Sequence, residues 1–186
     1  MRRMKKTAVF VLGPDRSGII AAVSQVLFEQ GCNLEDVNQT SLQSQFVGIF
    51  IASLSGSTRE EDLLRALRDR LDSLGLFVHL RPLDPADERP APPCEPYVIT
   101  TIGPDRPGLV AGITGLLAQY GANITNLKAI ARSDREGQEY VTFYEVDIPA
   151  GTDRLAFRAD LRARARALGL DVNLQHREIF EQIHRI

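Results

Sequence analysis

Short apolar runs alternate along the chain with segments of helical period. Thr7 to Leu12 is a brief apolar run that predicts a strand. From Gly18 to Gln30 the apolar residues Ile19, Val23, Val26 and Leu27 recur at the spacing of one helix face, and Gly31 supplies the stop. Asn33 to Gln43 alternates loosely and predicts a strand. Phe46 to Leu54 is apolar and β-branched, as in a strand buried on at least one face. Thr58-Arg-Glu-Glu61 has the pattern of a capping box and opens a second predicted helix. Its apolar seam is Leu64, Leu67, Leu71 and Leu74, and Gly75 ends it. Leu76, Val78 and Leu80 alternate in a last strand. The order β-α-β-β-α-β is the split-βαβ, ferredoxin-like plan, an α+β fold.

The plan occurs twice. Leu12-Gly-Pro-Asp-Arg-Ser-Gly-Ile-Ile-Ala returns 90 residues later as Ile102-Gly-Pro-Asp-Arg-Pro-Gly-Leu-Val-Ala. Gly31-Cys-Asn33-Leu returns as Gly121-Ala-Asn123-Ile. Beyond Asn123 the offset becomes 94, pairing Thr58 with Thr152 and Leu80 with Leu174. The four added residues are expected in a longer polar turn at Ser133 to Gln138. The second set of elements is expected at 97–102, 107–120, 123–132, 139–148, 152–168 and 170–176, with Pro107 in the first helical turn.

Between the repeats, the segment 83–96 with Pro82 just before it gathers six of the ten prolines. Such a stretch is extended and predicts a linker that joins no central strand. The expected organisation is domain 1 over 1–82, the linker over 83–96, domain 2 over 97–178, and an apolar C-terminal tail over 179–186. Each half is close to the lower size for an adequate core, so the two are expected to pack together.

Composition narrows the function. The chain has 186 residues, a net charge of -2 and a charged fraction of 25%. Nothing in that balance favours coating a nucleic acid or an anionic membrane, so no direct nucleic-acid binding and no membrane association are expected. The apolar run after the basic start is too short for a signal peptide, which predicts a cytoplasmic N-terminus. Cys32 and Cys94 lack metal-ligand spacing; Cys32 is expected buried and Cys94 exposed. His79, His176 and His184 form no zinc pattern, so neither metal nor cofactor is expected.

The Gly-Pro-Asp-Arg-x-Gly loops carry the chemistry. Each joins a strand end to a helix start, where unpaired amides and partial positive charge favour an anion such as a carboxylate. Gly18 and Gly108 admit a ligand close to the backbone. Asp15 or Asp105 can receive an ammonium group, and Asn33 or Asn123, at the start of the next strand, can donate and accept. Together these match a zwitterionic α-amino acid. Two other readings stay open. Arg16 and Arg106 suit a small phosphate-handling enzyme of this fold, although no histidine is near them in sequence to act as a base. The halves also suit a purely structural oligomerisation module.

Asp-Arg-Pro-Gly-Leu-Val-Ala, a helix, and then Gly-Ala-Asn-Ile resembles the ACT domain, a small ferredoxin-like module that binds amino acids and regulates. The resemblance covers nearly the whole chain as two ACT-like halves. Two such halves without a catalytic domain are similar to the glycine cleavage system transcriptional repressor family. The resemblance implies a non-enzymatic, ligand-responsive regulator of amino-acid metabolism, with glycine a candidate ligand. It implies a small amino acid held at an interface between modules, touching the first strand–helix loop of one and strand residues of another. The matching positions are Asp15, Arg16, Gly18, Asn33, Asp105, Arg106, Gly108 and Asn123. The family's loop proline is Pro107 in the second half and is replaced by Ser17 in the first, which ranks the second site higher. With no DNA-reading motif in the chain, control is expected to act through a transcription-factor or enzyme partner, and a homodimer is an open expectation. Arg154, Arg158, Arg162 and Arg166 form a stripe on the last predicted helix, either a solvated face or a contact for an acidic partner or a phosphate backbone.

Overall fold

The computed structural model describes residues 5–56, 58–84, 92–134 and 137–184; the side chains of 132–134, 137–138 and 181–184 lie outside the description. The chain divides into two compact units, 1–89 and 90–186. Residues 85–91, half of the expected linker, fall outside the described residues.

The first unit runs β1 (Lys5–Pro14), α1 (Ile19–Glu29), β2 (Asn33–Leu42), β3 (Gln45–Leu54), α2 (Glu60–Leu71) and β4 (Phe77–Leu83), with one 3-10 turn at Asp72–Leu74. Its four strands are ordered β2-β3-β1-β4, each neighbour antiparallel. The helices cover one sheet face, because Val9, Val11 and Phe50 on that face meet Ile19, Val23 and Leu27 of α1 and Leu63, Leu67 and Leu71 of α2 in a single buried cluster. The second unit repeats the plan: β5 (Cys94–Pro104), α3 (Leu109–Gln119), β6 (Asn123–Asp134), β7 (Gly137–Pro149), α4 (Arg154–Ala167), β8 (Asp171–His176), then α5 (Arg177–His184). Strand order is β6-β7-β5-β8. Its core keeps the same positions with exchanged volumes: Leu63 corresponds to Phe157 and Leu71 to Ala165, a large-for-small trade that conserves filling. Both units are thus α+β and ferredoxin-like, as the periodicity predicts.

Several details depart from the sequence-based expectation. Thr58 caps nothing. Its hydroxyl donates to the Gln30 carbonyl oxygen, tying the end of α1 to the β3–α2 connection, and α2 starts one residue later behind Arg59 without a side-chain cap. Glu60, Glu61 and Asp62 compensate by placing negative charge in the first turn. The buried seam of α2 is Leu63, Leu67 and Leu71, with Leu64 only half-buried, because the helix is rotated by about one residue from the expected phase. Pro107 lies outside α3, whose N-cap is Gly108. The added residues of the second half do not enlarge a turn. Leu42 faces Gln45 and Asp134 faces Gly137, so the pairing in the second hairpin runs on as far as in the first and each of its strands gains two residues at the hairpin end. Pro96 does join central strand β5, against expectation. It pairs only with Asp147 on β7, since β8 reaches no further than Tyr97, so its missing N–H falls on a locally open edge. The tail starts as a helix at Arg177 that touches β5 and β8; Phe180 is half-buried and Ile179 exposed, while the Ile183 side chain and Ile186 lie outside the described residues.

Candidate functional site

Each Gly-Pro-Asp-Arg-x-Gly loop leaves the end of a central strand and turns into a helix through a left-handed glycine. Gly18 has φ 92° and Gly108 φ 91°, a region costly for any residue with a Cβ. A Cβ there would meet nothing within 4 Å, so the backbone at both N-caps faces open space. Neither helix has a side-chain cap. The first helical bonds run from Ala22 to Gly18 and from Gly112 to Gly108, so the amides of the preceding turn have no intrahelical acceptor. An open glycine beside unpaired amides is suited to a carboxylate.

The glycine at the head of each motif has a different task. A Cβ on Gly13 would sit 2.8 Å from the Gly75 carbonyl oxygen, and one on Gly103 2.8 Å from that of Gly169. The loop therefore packs directly on the C-terminal turn of the second helix. In the second unit Arg106 strengthens this junction by donating to the Leu168 carbonyl oxygen at 2.7 Å. Arg16 has no corresponding bond among the described residues.

The two aspartates also differ. Asp15 accepts a hydrogen bond from the Ser41 hydroxyl at 2.6 Å, and its amide donates to the Ser44 carbonyl oxygen. The register places Ala131 where Ser41 stands, so Asp105 receives no such hydroxyl, and no side-chain partner of Asp105 occurs among the described residues. Asp105 is the freer carboxylate.

Asn33 and Asn123 are not brought to these loops. Asn33 faces Ser53, which faces Lys6 at the start of β1; Asp15 follows the far end of β1. Asn123 likewise faces Asp147 and, across it, Pro96. Within either unit the asparagine and the aspartate are separated by the length of the sheet, of the order of 20–30 Å. Nor is the asparagine on a neighbouring strand, since β3 and β7 intervene. No single unit can offer both to one small ligand.

At the asparagine ends lie ion pairs that sequence spacing does not reveal. Lys6 meets Glu35 at 2.6 Å, and that hydrogen bond holds the Glu35 carboxyl below its ordinary range. Arg177 approaches Asp147 at 3.3 Å and Glu145 at 3.6 Å and also donates to the Thr125 hydroxyl. These contacts anchor the start of α5 to the sheet face opposite α3 and α4. Among the described residues, no group of histidine, cysteine, aspartate or glutamate is placed to hold a metal ion, and no helix is long and apolar enough to cross a membrane.

Two family profiles, both described as the ACT domain, match residues 8–81 and 97–153. A UPF0237 protein of Methanopyrus kandleri is 36% identical over 90 residues, spanning 96% of that protein and 48% of this chain. The glycine cleavage system transcriptional repressor of Escherichia coli K12 is 27% identical over 168 residues, covering 90% of this chain and 85% of the repressor. Among solved structures, an unknown protein from Galdieria sulphuraria superposes with a TM-score of 0.79 at 24% identity, over 94% of this chain and 99% of that one.

Proposed function

The chain belongs to the ACT domain family, with two ACT domains in tandem and homology to a transcriptional repressor, and from that premise we propose that it is a non-enzymatic, amino-acid-responsive regulator. The observation that carries the reading is the pair of open, left-handed glycine N-caps at Gly18 and Gly108, each beside an aspartate. The ligand carboxylate meets the first-turn amides of α1 or α3, and its ammonium group meets Asp15 or Asp105. Asn33 and Asn123 take no part in the loop site of their own unit, because each unit holds the two groups at opposite ends of its sheet. Glycine, the smallest amino acid, needs no side-chain pocket beyond these groups and is the leading candidate.

The second loop is the better site, for a reason other than Pro107. The two N-cap glycines have almost the same φ, so the proline does not set a distinct geometry. Asp105, in contrast, carries no serine hydroxyl and keeps its full accepting capacity for an ammonium group. A phosphate-handling role fits less well, because Arg106 already serves a main-chain carbonyl group. His79 and His176 stand opposite Phe10 and Tyr97 in the strands, several residues before the loops. Ligand binding would alter contact with a transcription factor or enzyme partner.

Calorimetry with glycine and other free amino acids tests the reading. Asp105→Ala is expected to weaken binding about ten- to a hundredfold, and Asp15→Ala less, with native circular dichroism in both. Unchanged binding in both variants would remove the loops from consideration.

A further inference from the structure

Strand β8 (Asp171–His176) is an edge of its sheet: β5 pairs with one side, and no described strand pairs with the other. Above that edge runs α4. A crevice between them is lined by Arg158, Leu161 and Arg162 of the helix and by Val172, Asn173 and Leu174 of the strand. Val172 and Leu174 are half-buried, facing the helix side, and give the crevice an apolar floor.

The cations here are uncommitted. Arg154, at the head of the stripe, is paired with Glu95. Neither Arg158 nor Arg162 has a carboxylate partner among the described residues. The acid nearest in sequence, Asp160, accepts from the hydroxyl of Tyr120, the residue that follows α3, on the other flank of the helix. We propose that the β8 edge and these two arginines form a docking groove for an acidic extended peptide. The peptide adds as a fifth strand along β8 and sets alternate carboxylates against Arg158 and Arg162.

Two features select this partner. An open edge presents a row of main-chain donors and acceptors that only another extended backbone satisfies along its length. Arg158 and Arg162 are one helical turn apart, about 6 Å along the axis, while alternate side chains of a strand repeat every ~6.7 Å. Acidic residues at every second position therefore meet successive guanidinium groups, each able to bind a carboxylate bidentately. A phosphate backbone fits less well, since Asp153, Asp160 and Asp171 flank the stripe and the net charge is -2. The groove does not depend on the amino-acid site proposed above.

Fluorescence anisotropy of the full chain tests the proposal, using a short labelled peptide that alternates valine and glutamate. Controls are the same peptide with lysine for glutamate, the peptide N-methylated along one edge, and labelled duplex DNA. The glutamate peptide is expected to bind, more weakly as salt rises. R158E with R162E should cost at least about tenfold, R158Q with R162Q somewhat less, and R164E within about twofold. Bound peptide should also slow amide exchange at residues 171–176. The proposal is overturned by absence of binding, by equal binding of the lysine or N-methylated peptide, by duplex DNA binding more tightly than the peptide, or by full binding in the glutamine pair, which preserves shape should the charge reversal unfold.

Discussion

The Arg106 guanidinium group donates to the Leu168 carbonyl oxygen across 2.7 Å, joining a loop to the C-cap of a helix 62 residues later. A cation at that place also offsets the partial negative charge of the helix end. Arg106→Ala is therefore expected to lower stability by about 1 kcal/mol, and Arg16→Ala by less than about 0.5 kcal/mol. Urea titrations of the two variants check the difference.

A Cβ on Gly13 or Gly103 would press on a main-chain carbonyl oxygen at 2.8 Å and on the Leu76 or Leu170 side chain at 3.0 or 2.8 Å, and the carbonyl group cannot swing aside as a side chain can. Gly103→Ala must push the Gly169 turn away and is expected to cost about 2–3 kcal/mol by overpacking. Gly108→Ala meets no atom and costs only the left-handed strain, about 1–2 kcal/mol. Thermal melts should rank the two in that order.

Both halves and their element order were legible because the repeat and the helix and strand periods reinforce one another. The site was less legible. Asn33 follows Asp15 by one helix, but that helix runs back along the sheet, so the next strand starts where β1 started. Sequence proximity thus concealed opposite ends. The α2 cap failed for a related reason: a hydroxyl at Thr58 fits the capping pattern, yet the Gln30 carbonyl oxygen, distant in sequence, claims it. In the second half the helix expected from Thr152 starts at Arg154, because the Asp153 carboxylate accepts from the amides of Leu155 and Ala156 and caps it.

The β2–β3 hairpin turns through Gln43 at φ 47° and Ser44 at φ 63°, two non-glycine residues in the left-handed region. Ser44→Gly relieves one of them at an exposed position and is expected to stabilise the chain by about 0.5–1 kcal/mol. The Ser44 carbonyl oxygen still accepts from Asp15, so the loop should be unaffected. A rise in the denaturation midpoint at unchanged slope is the expected result.

Cys94 is exposed, whereas Cys32 is buried and its burial pushes the thiol above its ordinary range. Ellman's reagent should label Cys94 at once and Cys32 only as the chain unfolds. Because the native value is raised, the Cys32 contribution to stability is present below the unfolded thiol value and falls as pH rises through the native one. Cys32→Ala should therefore flatten part of any alkaline loss of stability, measured by melts across that range.

The central claim is that an amino acid seats its carboxylate on the amides behind Gly18 and Gly108. A nitrogen-15 amide spectrum of the whole chain, titrated with glycine, reads those amides directly. The account predicts saturable shifts concentrated at residues 105–111, with smaller ones at 15–21, and their loss at the second loop in Asp105→Ala. Saturable shifts confined to other segments, or none for glycine and every other free amino acid, would contradict it.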